Sequence, residues 1–177
     1  MTGHAETEGP LSNIHDQQRL LVSPEELEGV RALLHQYAYA VDSSDESLLA
    51  AVLTDDVVLH RVDGAREGAD AVLAFYRTVF DGPTIWSKHL VTNLTCTVTP
   101  HGYDVDAYVQ AISRTADTGM MVLAEYHDQV VRDDTGRYRI AVKAIDVQQT
   151  FPLEVRMADQ PAVVATGEMP PITPKER

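Results

Sequence analysis

Apolar positions recur at spacings of three and four in the first half of the chain and at alternating, β-type spacing in the second. Ser23-Pro24-Glu25-Glu26 reads as a helix start, with Ser23 as N-cap, Pro24 at the first helical position and Glu26 three residues after the cap. Leu27, Val30, Leu34, Tyr37, Ala38 and Val41 then form one apolar face of a helix about 18 residues long. It stops at Asp42-Ser43-Ser44-Asp45, and a short helix runs from Glu46 to Leu53. A strand is predicted from Val57 to Val62, and a third helix from Gly68 to Phe80 with Val72, Phe75, Tyr76 and Val79 on one face. Asp81-Gly82-Pro83 breaks it.

Four strands are predicted next: Thr84–Thr99, Tyr103–Ala116, Met120–Arg132 and Tyr138–Thr150. Asp133-Asp134-Thr135-Gly136 is a strong hairpin signal between the last two. Helices followed by a meander predict an α+β fold, a cone-shaped barrel of three N-terminal helices on the concave face of a strongly curved, mostly antiparallel sheet. Long strands must twist, so the cone encloses a cavity suited to a small apolar molecule. Residues 1–20 are polar and aperiodic and are expected to be a flexible arm. Residues 21–152 make the single domain, and 153–177 form an irregular Pro-rich tail.

Composition narrows the function classes. With 14 Lys+Arg against 27 Asp+Glu, the net charge of −13 repels phosphate backbones and anionic lipid, which argues against nucleic acid and membrane surfaces as partners. No run approaches the roughly 20 apolar residues of a membrane span, and the N-terminus lacks the basic start and apolar core of a secretory signal. A cytoplasmic protein is expected. The single cysteine, Cys96, cannot form an internal disulfide or a thiolate zinc site, and no phosphate loop, nucleotide fingerprint or nucleophile elbow is present. Neither a cofactor nor a metal is therefore expected.

Among the histidines, His89 has the most informative setting. Alternation places Ile85, Ser87, His89, Val91 and Asn93 on one strand face and Trp86, Lys88, Leu90, Thr92 and Leu94 on the other. His89 and Asn93 among apolar neighbours fit a lined cavity, although a hydrogen-bonded structural histidine fits the pattern too. Tyr37 and Asp42, five residues apart at the end of the first helix, offer a hydroxyl donor and a carboxylate able to orient an imidazole. The same spacing also suits Tyr37 in the core and Asp42 capping the second helix. Trp86, Leu90 and Leu94 would leave an apolar outer face, which predicts a homo-oligomer, dimer or trimer, with the sheet or tail at the interface.

Three passages, LLHQYAYAVDSSDESLLAAVLTDDVVLH, WSKHLVTNLTCTV and EYHDQVVRDDTGRYRIAVKAIDV, resemble the nuclear transport factor 2-like superfamily, and within it the SnoaL-like and scytalone-dehydratase-like branch. The resemblance implies a catalytic pair of helix aspartate and strand histidine, falling on Asp42 and His89, with a helix tyrosine matching Tyr37. The chain departs from scytalone dehydratase in lacking its second histidine, where it reads VQAISR, and in carrying Glu125 and His127 where that enzyme has serine and asparagine. The resemblance points to a cofactor-independent dehydratase. In this reading His89, oriented by Asp42, removes a proton beside a carbonyl of a small apolar or polycyclic substrate, steroid-like or of the secondary-metabolite type, while Tyr37 donates to the enolate. Asn93, Tyr108 or His127 is available for the leaving hydroxyl, and His60 and Trp86 are further substrate-binding candidates. A cyclase or double-bond isomerase would use the same pocket. A non-catalytic ligand-binding or oligomerisation module, or a ring-hydroxylating oxygenase small subunit, would use the same cone.

Overall fold

The computed structural model describes residues 22–154. The expected arm, 1–20, and all but the first two residues of the expected tail lie outside the described residues. Helix α1 spans Pro24–Ser43, α2 Glu46–Val52 and α3 Ala69–Phe80. The strands are β1 Leu53–Arg61, β2 Gly64–Glu67, β3 Trp86–Thr99, β4 Gly102–Arg114, β5 Gly119–Arg132 and β6 Tyr138–Leu153. They form one curved, mixed, unclosed sheet in the order β2-β1-β6-β5-β4-β3. The predicted meander is present as β3 to β6, every neighbouring pair antiparallel.

Local chemistry explains the helix ends. Ser23 and Glu26 form the expected capping box, each side chain accepting from the other's backbone N–H. Glu26 also accepts from the Tyr103 hydroxyl at 2.7 Å, tying the start of α1 to β4. That bond, with those from Ser23, holds the Glu26 carboxyl down at about 2. At the other end Ser44 takes the left-handed conformation at φ 54, and Asp45 caps α2 by accepting from Leu48 N–H at 2.9 Å. Asp42 is therefore not the cap of α2.

Two features were not predicted. Strand β2 comes after Asp63 as the second arm of a tight hairpin with β1, because Gly64 at φ 116 permits the turn. Strand β1 begins at Leu53 rather than Val57 and pairs parallel with β6, so Leu59 lies beside Lys143. A third difference changes which way residues face. Thr92 pairs with Tyr108 and Thr95 with Asp106, so β3 carries one extra residue there. Asn93 sits at the bulge with φ 52, a conformation its side chain tolerates. Beyond it the alternation inverts: Leu94, Cys96 and Val98 pack against the core, while Asn93 is exposed. Leu94 thus does not belong to the outer face.

The core lies between α1, α3 and the inner sheet face. Val30, Leu33, Leu34, Tyr37 and Ala40 of α1 are buried against it, and Val41 is half-buried. Trp86, Leu90, Tyr108 and Leu123 leave exposed apolar surface on the sheet, and no helix among the described residues is long and apolar enough to cross a membrane. The interior also holds an ion pair. Lys143 Nζ lies 2.8 Å from Asp128 Oδ2, both side chains almost wholly shielded. The ammonium sits over the Tyr126 ring, 3.0 Å from its centroid, and 4.5 Å from that of Tyr37. Burial pulls Lys143 down to about 8, against the opposing pull of Asp128.

Removing one partner of such a pair leaves an uncompensated charge. Lys143→Met is expected to lower the unfolding free energy by about 3–5 kcal/mol, and a Lys143→Met/Asp128→Leu double variant to recover most of the loss. Urea denaturation followed by circular dichroism checks both; equal stability of the single and double variants would refute the argument.

Candidate active site

Above the ion pair the helices and sheet enclose a cavity of about 340 Å³. Its walls come from the end of α1, Arg61 at the end of β1, the apolar face of α3, Thr84 and Ile85, and residues of β3 to β6. Aliphatic and aromatic side chains make most of the surface, and polar groups cluster at a few points.

The first point is Asp42. Its Oδ1 lies 2.6 Å from His89 Nδ1 and accepts from the Ser87 hydroxyl at 2.9 Å, and its Oδ2 accepts from the His89 backbone N–H at 3.0 Å. Residues 87 and 89 share a face of β3, so one carboxylate reaches both. With Nδ1 donating to Asp42, Nε2 is the unprotonated nitrogen of the neutral ring. Burial pushes the Asp42 carboxyl up, but hydrogen bonds from the His89 ring, the His89 backbone and Ser87 outweigh it and hold it below the usual aspartate value.

The second point is a group of tyrosines. Tyr37 is fully buried about one turn before Asp42, its hydroxyl bonded to that of Tyr76 on α3. Its ring meets those of Tyr76 and Tyr126 edge to face, at 6.3 and 6.1 Å between centroids. Burial, with the neighbouring phenols and Asp128, raises Tyr37 well above the ordinary phenol value, so it stays protonated at neutral pH.

Of the residues singled out in the sequence, Asp42, His89 and Tyr37 come together on one cavity, and Trp86 lines its mouth at 44% exposure. The others are elsewhere. Asn93 is turned out by the bulge. Tyr108 and His127 lie on the outer sheet face, where His127 Nδ1 meets Asp106 at 2.7 Å. His60 is exposed on β1, between the inward residues Leu59 and Arg61. None of these four lines the cavity. Cys96 packs against the core, and burial raises its thiol to about 11, the state of an unreactive side chain.

As site residues, Tyr76, Tyr126, Arg61 and the Asp128–Lys143 pair were passed over in the sequence. A signal was present in the strands: Arg61 continues the inward series Val57, Leu59, and Asp128 continues Ala124, Tyr126. A charged residue at an inward position of an apolar alternation marks a buried interaction.

The depressed Asp42 pKa has a consequence for stability. A carboxyl whose folded pKa lies below its unfolded value stabilises the fold above the unfolded pKa and loses that contribution as pH falls through the folded one. Asp42→Asn is therefore expected to be less stable than wild type at pH 7, by about 1.5–3 kcal/mol for hydrogen bonds to a charged group. The gap should narrow as pH falls below the aspartate range, and urea titrations at several pH values measure it. A gap that stays constant with pH would contradict the assignment.

A family model described as a SnoaL-like domain matches residues 23–143. No curated protein matches the chain. Among solved structures, a candidate scytalone dehydratase from Novosphingobium aromaticivorans is 20% identical with a TM-score of 0.67, over 75% of this chain and 90% of that one. The hexachlorocyclohexane dehydrochlorinase LinA-type3 from Novosphingobium barchaimii is 18% identical with a TM-score of 0.65, over 81% and 94%. ActVI-ORFA from Streptomyces coelicolor is 17% identical with a TM-score of 0.55, over 68% and 96%. At such identities the likeness is one of fold. The family match, spanning α1 to Lys143 on β6 and so both the Asp42 turn and the His89 strand, settles the lineage: the chain belongs to the SnoaL-like domain family.

Proposed function

We propose that this protein is a dehydratase-type carbon–oxygen lyase working by general acid–base catalysis from the Asp42–His89 pair. The observation that carries the reading is the 2.6 Å contact between Asp42 and His89 Nδ1 on the wall of an apolar cavity. A merely structural histidine has no need of a cavity, and a non-catalytic module has no need of an oriented imidazole. The solved relatives named as a dehydratase and a dehydrochlorinase are in keeping with elimination chemistry on this fold.

His89 Nε2 takes a proton from the carbon beside a substrate carbonyl, and the C–H electron pair moves into the enolate. Asp42 stabilises the imidazolium that forms. Tyr37, kept protonated and braced by Tyr76, donates towards the developing oxyanion. Collapse of the enolate forms the carbon–carbon double bond and breaks the bond to the β-hydroxyl. The imidazolium returns its proton to that hydroxyl, which leaves as water from the same face. The substrate class is a small apolar β-hydroxy carbonyl compound, since the cavity lies at the low end of the range of about 300–1,000 Å³ for ligand pockets.

The test is turnover of a β-hydroxy ketone on a bicyclic frame, followed by the absorbance of the conjugated product. His89→Ala is expected to lose at least about 10²-fold in rate, and Asp42→Asn a similar amount. Tyr37→Phe should lose less, because Tyr76 remains. The His89→Ala/Asp42→Asn double variant should be little worse than either single one, since the two act as a unit. Near-wild-type turnover by folded His89→Ala would overturn the mechanism.

A further inference from the structure

One carboxylate at the β1–β2 turn faces two guanidinium groups, and it serves them unequally. Arg66 donates to Asp63 twice, from Nη2 to Oδ2 at 2.8 Å and from Nη1 to Oδ1 at 3.3 Å. Arg61 Nε stands 3.4 Å from Oδ1 and makes no hydrogen bond. Both guanidinium groups lie over the Phe75 ring, Arg61 at 4.9 Å and Arg66 at 4.1 Å from its centroid. Only one of the two lines the cavity, and it is Arg61.

Arg61 is thus a cation with an incomplete set of partners. Its side chain is 32% exposed, its buried Nε is ion-paired with Asp63 without a hydrogen bond, and its guanidinium makes no hydrogen bond to a described residue. The Phe75 ring beneath the guanidinium attracts its charge but supplies no hydrogen-bond acceptor. The other charged group on the cavity wall, Asp42, is already engaged by His89 and Ser87. Burial raises the pKa of Tyr76 and of Tyr126, and the charge of Arg61 opposes that rise, which puts its field on the tyrosine end of the cavity. A guanidinium is best satisfied by an oxygen anion held through two parallel hydrogen bonds, and Arg61 has no hydrogen-bonded acceptor among the described residues.

We propose that Arg61 recognises an anionic oxygen on the ligand, so that this cavity takes an apolar body carrying a carboxylate or an ionised enol. The inference rests on the cavity being the substrate pocket but not on the reaction proposed for it. The net charge of −13 gives the surface as a whole no attraction for such a ligand, which leaves selection to the local cation.

Calorimetric titration of the full chain with matched bicyclic pairs tests it. The carboxylate arm compares 2-naphthoate with neutral 2-acetonaphthone. The enolate arm compares ionised 2-hydroxy-1,4-naphthoquinone with its neutral 2-methoxy ether. At least one anion is expected to bind roughly 10-fold or more tightly than its neutral partner, equivalent to about 1.4 kcal/mol. The arm that shows the preference identifies the source of the anion. Arg61→Gln should abolish the preference with the circular dichroism spectrum unchanged, and Arg61→Lys should keep part of it. Should Arg61→Gln fail to fold, the wild-type comparison and Arg61→Lys still decide. His89→Ala should keep the preference while losing turnover, which separates failure of this inference from failure of the catalytic reading. Equal binding of anions and neutral partners to wild type, no binding of either anion at millimolar concentration, or a preference that survives in Arg61→Gln would each overturn the proposal.

Discussion

The carboxylate of Asp42 is the constraint on which the site depends. Strand β3 is the edge of the sheet, paired with β4 alone, so one side of its backbone lacks a strand partner. Asp42 accepts the His89 N–H on that strand with one oxygen, and takes the His89 ring and Ser87 hydroxyl with the other. A single ionised group therefore satisfies a sheet edge, docks the last turn of α1 and fixes an imidazole tautomer. The bond between Glu26 and Tyr103 does a related job at the opposite end of the helix. With α1 held at both ends, the depth of Tyr37 between them is set by geometry.

Charge in the interior is sorted by how completely it is partnered. Lys143 has a carboxylate beside it and aromatic rings around its ammonium. The cost of taking its charge out of water is offset locally, and the pair forms a floor on which Tyr37 and Tyr126 rest. Arg61 differs because the nearest carboxylate, Asp63, takes its hydrogen bonds from Arg66. The Lys143 ammonium is hydrogen-bonded within the fold, although Asp128 Oδ1 is left without a partner, whereas the Arg61 guanidinium, on the cavity wall, makes no hydrogen bond to a described residue. The two cations, both on inward strand positions, thus have different physical characters.

Much of the fold was legible in the residues themselves. Ser23, Pro24 and Glu26 mark the start of α1 through bonds that span three residues, and Asp133 to Gly136 mark the last hairpin in the same local way. Spacing and the family resemblance together picked out Tyr37, Asp42 and His89, which fall within the first two of the quoted passages. Tyr108 and His127 were chosen for their chemistry without a face being assigned. Inward Ala107 and Tyr126, one residue before each, show the parity that turns them outward.

The sequence by itself determined the order of elements, their caps and the helix-then-meander plan, all consequences of interactions within a few residues along the chain. Only the tertiary structure decided the bulge at Asn93, the parallel seating of β1 against β6 and the pairing of Lys143 with Asp128. Each depends on which residue of a distant strand lies opposite. A one-residue change of register reverses every side chain beyond it, which is why Asn93 leaves the cavity and Leu94 enters the core. Alternation along one strand carries no information about where its partner inserts or omits a residue.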